Sequence, residues 1–347
     1  MTRTAEAVAG PTPPPGRPPI RGTLLTRIRG SADAQTISLL AALAGLVVVF
    51  GSLEPDIFFR PSNLVNIANA IALLAVVAVA QTLVILSGQL DISVGAITGL
   101  ASVAAAQTML TVEAAGAGIA AAVVVGALAG LVNGLLITWG RINSVIATLG
   151  TLSVFQGLAF LVTNGESVGV TNLTFLRIGT DRFLGMPVGV VLMLAIAAAV
   201  AFLLRATDIG RNVYALGGNP VAAELAGIRL TRYRIGIFVA SGAICGLAAV
   251  LLTARTGSGL PSTAATGLEL QAITAAILGG CALTGGRGTV LGTVLGCLII
   301  GTLANGLVLL DVPTFYQLVA KGLLLILAVM IQEFRGELRR PGRSRVA

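Results

Sequence analysis

Ten long runs of mostly apolar residues follow one another along the 347-residue chain, nine of them free of charge. They are Thr36–Leu53, Pro61–Leu90, Ile92–Val112, Ala114–Gly140, Ile142–Gly165, Phe183–Leu204, Ile235–Ala254, Leu270–Gly286, Gly288–Leu310 and Val312–Gln332, the last interrupted by Lys321. A helix that crosses a bilayer needs about 20 such residues. In hydrocarbon every backbone N–H and C=O must be satisfied within the protein, which leaves helices as the economical answer for runs of this length. The pattern predicts an all-α polytopic bundle of about ten transmembrane helices. The run Leu270–Gly286 is marginal in length.

The basic residues orient that bundle. Ten spans place both termini on one side, and with the N-terminus inside, seventeen arginines fall inside. They are five in the N-terminal tail, Arg141, then Arg205, Arg211, Arg229, Arg232 and Arg234, then Arg287, and five after Phe334. Outside lie only Arg60, Arg177, Arg182 and Arg255. An excess of Lys and Arg on cytoplasmic connections is the rule for membrane proteins. Both termini are therefore expected in the cytoplasm.

Composition agrees and excludes several functions. Hydrophobic residues make up 56% of the chain, above the roughly 45–50% of soluble domains. The 44 glycines permit close helix packing where no hydrophobic effect drives association. There is no histidine, which removes His-based acid–base catalysis and His metal ligands. The single lysine, Lys321, follows Ala320, so no GxxxxGK[ST] phosphate loop exists and the chain does not bind ATP by that route. Cys245, Cys281 and Cys297 lie in apolar runs without CxxC spacing, which suits small buried thiols rather than metal or disulfide. The net charge of +8 is spread over the gaps between runs, so it marks topology and not a nucleic-acid site. No cofactor is indicated.

Three regions fall outside the spans. Residues 1–35 are rich in Pro and Arg and are expected to stay disordered as a cytoplasmic tail, with the transmembrane domain at 36–333 and a basic tail at 334–347. The segment 205–234 is a polar island between apolar runs, reading DIGRNVYALGGNPVAAELAGIRLTRYR from Asp208. Within it Asn219 can cap a helix and Pro220 suits its first position. Gly227 can end it by adopting the left-handed conformation. The expected element is a two-turn helix, Pro220 to Ala226, with small Ala222, Ala223 and Ala226 and one acid, Glu224. On the other side, Glu166–Arg182 and Thr256–Glu269 are polar enough to touch an extracytoplasmic partner or simply to join spans. A faint internal echo links Ile85–Gly88 to Ile277–Gly280, and Asn133-Gly134 to Asn305-Gly306.

Three stretches carry a family likeness: SGQLDISVGAITGL (Ser87–Leu100), GLVNGLLITWGRINSVIATLGTLSVFQG (Gly130–Gly157), and GRNVYALGGNPVAAELAGI followed by AAILGGCALTGGRGTVLGTVLG. Together the chain resembles the permease subunit of a bacterial ABC importer of the ribose/simple-sugar type, over most of residues 60–332. The branched-chain amino-acid permeases are the nearest rival, with a nucleoside importer also open, but the Ser87–Gly95 motif is more similar to the sugar group. One departure is Gln89, where the family commonly has a second glycine. The resemblance implies a multi-pass permease of the cell inner membrane, paired with a second permease subunit. Its further partners would be cytoplasmic ABC ATPases and an extracytoplasmic sugar-binding protein. The short helix would be the coupling helix, with Asn219, Pro220, Ala222, Ala223, Glu224, Ala226 and Gly227 at the contact.

The remaining polar groups in the spans are Asn69, Gln81, Asp91, Asn133, Gln156 and Asn305. They are candidates for lining a sugar pathway, and interhelical hydrogen bonds explain them as well. Asp91 is the acid in an otherwise uncharged stretch; capping chemistry with Ser93 favours a structural role in a bent segment. Lys321 is placed to snorkel toward the outer interface. A secondary transporter would need intramembrane titratable groups, and only Asp91, Lys321 and Glu269 are available. An enzyme would need paired acids or histidine, which the chain lacks.

Overall fold

The computed structural model describes residues 23–261 and 267–338. The proline-rich part of the N-terminal tail, the middle of the 256–269 segment and the C-terminal tail from 339 lie outside the described residues. The chain runs through α1 (Thr23–Leu53), α2 (Pro55–Phe58), α3 (Pro61–Leu86), α4 (Val94–Val112), α5 (Ala115–Thr138) and α6 (Ser144–Thr163). Strand β1 (Val168–Gly169), α7 (Leu173–Thr180) and a hairpin of β2 (Arg182–Phe183) and β3 (Met186–Pro187) lead into α8 (Val188–Ala206). After α9 (Asp208–Gly218) and α10 (Pro220–Leu225) come α11 (Leu230–Thr256), β4 (Ser258–Gly259), α12 (Leu268–Leu278), α13 (Val290–Leu309) and α14 (Thr314–Leu338).

Eight helices among the described residues are long and apolar enough to cross a membrane: α1, α3, α4, α5, α6, α8, α11 and α13. Two shorter apolar stretches, α12 and the Thr314–Met330 part of α14, complete the expected ten segments. The run Leu270–Gly286 is helical only as far as Leu278, and the whole of α12 has 11 residues, a rise of about 16 Å against a hydrocarbon core of about 30 Å. It stops at Gly279, and Gly280, Gly285, Gly286 and Gly288 take positive φ in the turn that follows. The tail is the other correction. Residues 23–35 were expected without structure, yet α1 starts at Thr23. The last proline before it is Pro19, so nothing in Thr23–Gln35 blocks the helix from extending backward.

Helix α3 is the axis of the bundle. Every residue from Leu74 to Leu86 is buried, as befits a helix apolar on all faces. Around it, α5 and α11 cross at backbone contact. A Cβ on Gly130 would run into the Phe238 carbonyl, and one on Gly242 into the Gly126 carbonyl. Small residues four apart bring the two backbones together, the substitute for hydrophobic association in lipid.

The connections gather at two ends. At one, β1 pairs with β4 (Val168 opposite Gly259) and the Asn172 side chain donates to the Glu113 carbonyl at 2.7 Å. At the other, the turn after α3, the end of α9 and the turn after α12 touch through their glycines. This second end holds Arg141, Arg205, Arg211, Arg229, Arg232, Arg234 and Arg287.

Candidate functional site: a capped helix beside a buried polar network

The basic end carries the island as two helices. α9 is capped by Thr207, whose hydroxyl accepts from the Gly210 N–H at 3.3 Å. Sequence reasoning took only the second helix from this island. The apolar pair Val213 and Leu216, three apart and both buried, is the signal that would have revealed α9. Its last turn runs directly into the cap of α10.

α10 forms as the local chemistry requires. Asn219 Oδ1 accepts from the Ala222 N–H at 3.1 Å, and Pro220 occupies the first turn. At the far end Gly227 adopts φ +84°. Its N–H donates to the Glu224 carbonyl at 2.9 Å, and the Ile228 N–H donates to the Ala223 carbonyl at 3.0 Å. That pair of bonds is a Schellman stop. The helix is therefore pinned at both ends.

Its faces are not those expected. Ala223 is only 3% exposed and anchors α10 to its own protein. Ala222, Glu224 and Ala226 are exposed, and so are Val221 at 68% and Leu225 at 85%. Val221 and Leu225 lie four apart on one face, an apolar knob that the sequence reading missed because it looked for small residues.

Behind this surface lies a buried polar network. Asp91 Oδ1 accepts from the Ser93 N–H at 2.8 Å and from the Ser93 hydroxyl at 2.6 Å. The Asn133 amide on α5 donates to Ser93 Oγ at 2.8 Å and to Asp91 Oδ2 at 3.4 Å. Thr151 on α6 donates to Asn133 Oδ1 at 2.7 Å. Gln81, with its amide turned to satisfy both groups, donates to the Asp91 carbonyl at 3.0 Å and accepts from the Asp91 N–H at 3.3 Å. The Leu90 and Ile92 amides donate to Ser144 and Thr148 on α6. Three of the six sequence candidates, Gln81, Asp91 and Asn133, thus meet in one place, all fully buried. They spend their polar atoms on one another and on the backbone of the turn. Gln89 fits this turn without strain, because the left-handed position falls on Gly88 (φ +77°).

A family model described as branched-chain amino acid transport system, permease component, matches residues 63–329. The chain belongs to this permease family. Among relatives, the permease is 41% identical to the ribose import permease of Bacillus subtilis over 311 residues, 88% of this chain and 95% of that one. It is 38% identical to the L-arabinose ABC transporter permease of Azospirillum brasilense, covering 88% of this chain and 91% of the relative. The D-allose transport permease of Escherichia coli is also 38% identical, with 83% and 89% covered.

The other candidates in the permease are separate from the network. Asn305 on α13 and Asn63 on α3 exchange amide hydrogen bonds of 2.9 and 3.2 Å, and Asn63 also donates to the Phe58 carbonyl at 2.9 Å. Asn69 lines a cavity of about 20 Å³ with Leu73, Gly179, Gly189, Leu251 and Arg255. That is room for one water. Gln156 is half-buried on α6, Lys321 is half-buried on α14, and Arg287 is exposed in the glycine turn. Cys245, Cys281 and Cys297 are all buried.

Proposed function

We propose that this permease forms the membrane pathway of an ATP-driven, binding-protein-dependent importer of a monosaccharide of the ribose, arabinose or allose kind. The observation that carries the reading is α10: a short helix capped at both ends, presenting Val221 and Leu225 from the arginine-rich end of the bundle. By the positive-inside rule that end faces the cytoplasm. A separate ABC ATPase there would receive the Val221–Leu225 knob in a cleft, with Glu224, Ala222 and Ala226 around it, while Asn219, Pro220 and Gly227 hold the helix rigid and Ala223 ties it to the bundle. A sugar-binding protein would deliver from the opposite face.

The pathway itself fits between two permease subunits, identical or paired with a second chain, rather than within one. The network of Gln81, Asp91 and Asn133 is closed on itself, and the Asn69 cavity is far too small for a sugar. Branched-chain amino acids are the second reading, because the family description names them. Relatives at about 40% identity named for sugars favour the first.

The test is uptake of labelled ribose, arabinose, allose and leucine into vesicles holding the complete transporter, with and without ATP. We expect sugar uptake that requires ATP. In Leu225→Glu, the ATPase should no longer co-purify and uptake should stop, with the permease still inserted. Uptake that a protonophore abolishes and ATP depletion spares would overturn the assignment.

A further inference from the structure

We infer that Gly217, at the end of α9, is a positioning residue that passes the movement of α10 to two transmembrane turns at once. This rests on the coupling role proposed for α10. Gly217 is buried where three segments converge. A Cβ placed on it would run into the Leu86 carbonyl oxygen at the end of α3 and stand 2.7 Å from the Gly286 amide nitrogen after α12. Those two segments are themselves joined, since the Gly286 N–H donates to the Leu86 carbonyl at 2.9 Å. A Cβ on Gly285 would lie 2.7 Å from Gly88 Cα and 2.9 Å from Gly217 Cα. Backbone meets backbone on all three sides, with no flexible side chain between to absorb a displacement.

A second tie runs parallel to it. Tyr214, one turn earlier on α9, donates its hydroxyl to the Gly288 carbonyl at 2.9 Å. Asn219 connects the other way: its N–H donates to the Ala215 carbonyl at 3.0 Å while its side chain caps α10. α9 and α10 are thus hydrogen-bonded through one residue, and α9 rests on both turns. From Leu86 the chain passes through Ser87 and Gly88 to Asp91, which the network holds to α5 and α6. Packed contacts of this kind shift between discrete arrangements rather than deform gradually, which makes the junction suited to carry a stroke. The turn after α12 follows Ile277–Gly280, the stretch that echoes Ile85–Gly88. One push on α10 therefore reaches both.

Neighbouring glycines provide the experiment. A methyl on Gly217 collides with two segments, whereas a methyl on Gly218 meets nothing within 4 Å. Alanine also favours a helix more than glycine does, so Gly217→Ala cannot act by weakening α9. In the complete transporter reconstituted in vesicles, Gly217→Ala should keep the ATPase bound and hydrolysing ATP. Sugar moved per ATP should fall by about tenfold or more. Gly218→Ala should match the parent. Tyr214→Phe, which keeps the shape and removes one tie, should lower transport per ATP by less than Gly217→Ala; it also stands in if Gly217→Ala does not fold. Unchanged coupling in Gly217→Ala or in Tyr214→Phe would overturn the inference, and so would loss of the ATPase together with uptake. A parent transporter that binds no ATPase would instead defeat the coupling role of α10 itself.

Discussion

The Asn133 amide donates to the Ser93 hydroxyl across 2.8 Å, and both side chains are fully buried. This bond ties the middle of the bundle to the turn between α3 and α4, with Asp91 held between them. Polar groups in a span are usually read as contacts for the transported solute. Here Asp91, Ser93 and Asn133 each have partners inside the protein, and burial without a partner would be costly.

Asn133→Leu should therefore act on stability and not on selectivity. The leucine leaves Asp91 Oδ2 without its amide donor and Thr151 without its acceptor on α5. A cost of about 1–3 kcal/mol is expected from the unpaired groups. Thermal unfolding of the detergent-solubilised permease should show a lowered midpoint, while the order of preference among sugars stays the same. A changed preference would return Asn133 to the pathway.

The crossing of α5 and α11 predicts a contrast between two glycines. Gly130→Ala puts a methyl against the Phe238 carbonyl, and the helices must separate. Overpacking of this kind typically costs about 1–3 kcal/mol. Gly150 on α6 has nothing within 4 Å of a Cβ, so Gly150→Ala should leave the yield of folded protein unchanged. Size-exclusion profiles of the two variants, measured side by side, check this.

Gly227→Ala tests whether α10 must be pinned. At φ +84° an L side chain is strained, by about 1 kcal/mol or more. The Schellman bonds to Ala223 and Glu224 should weaken, and hydrogen exchange at the Gly227 and Ile228 amides should speed up. Gly227→Asn, which tolerates the left-handed region better, should show a smaller increase.

Several parts of this molecule could be read from short stretches of chain. Charge is too costly in hydrocarbon to scatter, so the uncharged runs and the arginines between them mark the segments and the basic end. The limits of α10 were legible in Asn219, Pro220 and Gly227 for a similar reason. Capping and a left-handed stop depend on the residue and its close neighbours. The limits of α12 were less legible, because its run continues as apolar sequence past the glycines that end the helix.

What only the tertiary structure decided depends on residues far apart in the chain. Nothing near Asp91 in the sequence announces Asn133, 42 positions away, so composition left open whether that acid served a solute or a cap. On α10, alanine was the natural choice for a surface meant to enter a cleft. Packing turned Ala223 inward instead and left Val221 and Leu225 outside. Gly217 and Gly218 are the same residue side by side. Their difference arises only where α9 comes to rest on the carbonyl of Leu86, since periodicity and propensity describe a segment alone and steric contact belongs to the assembled bundle.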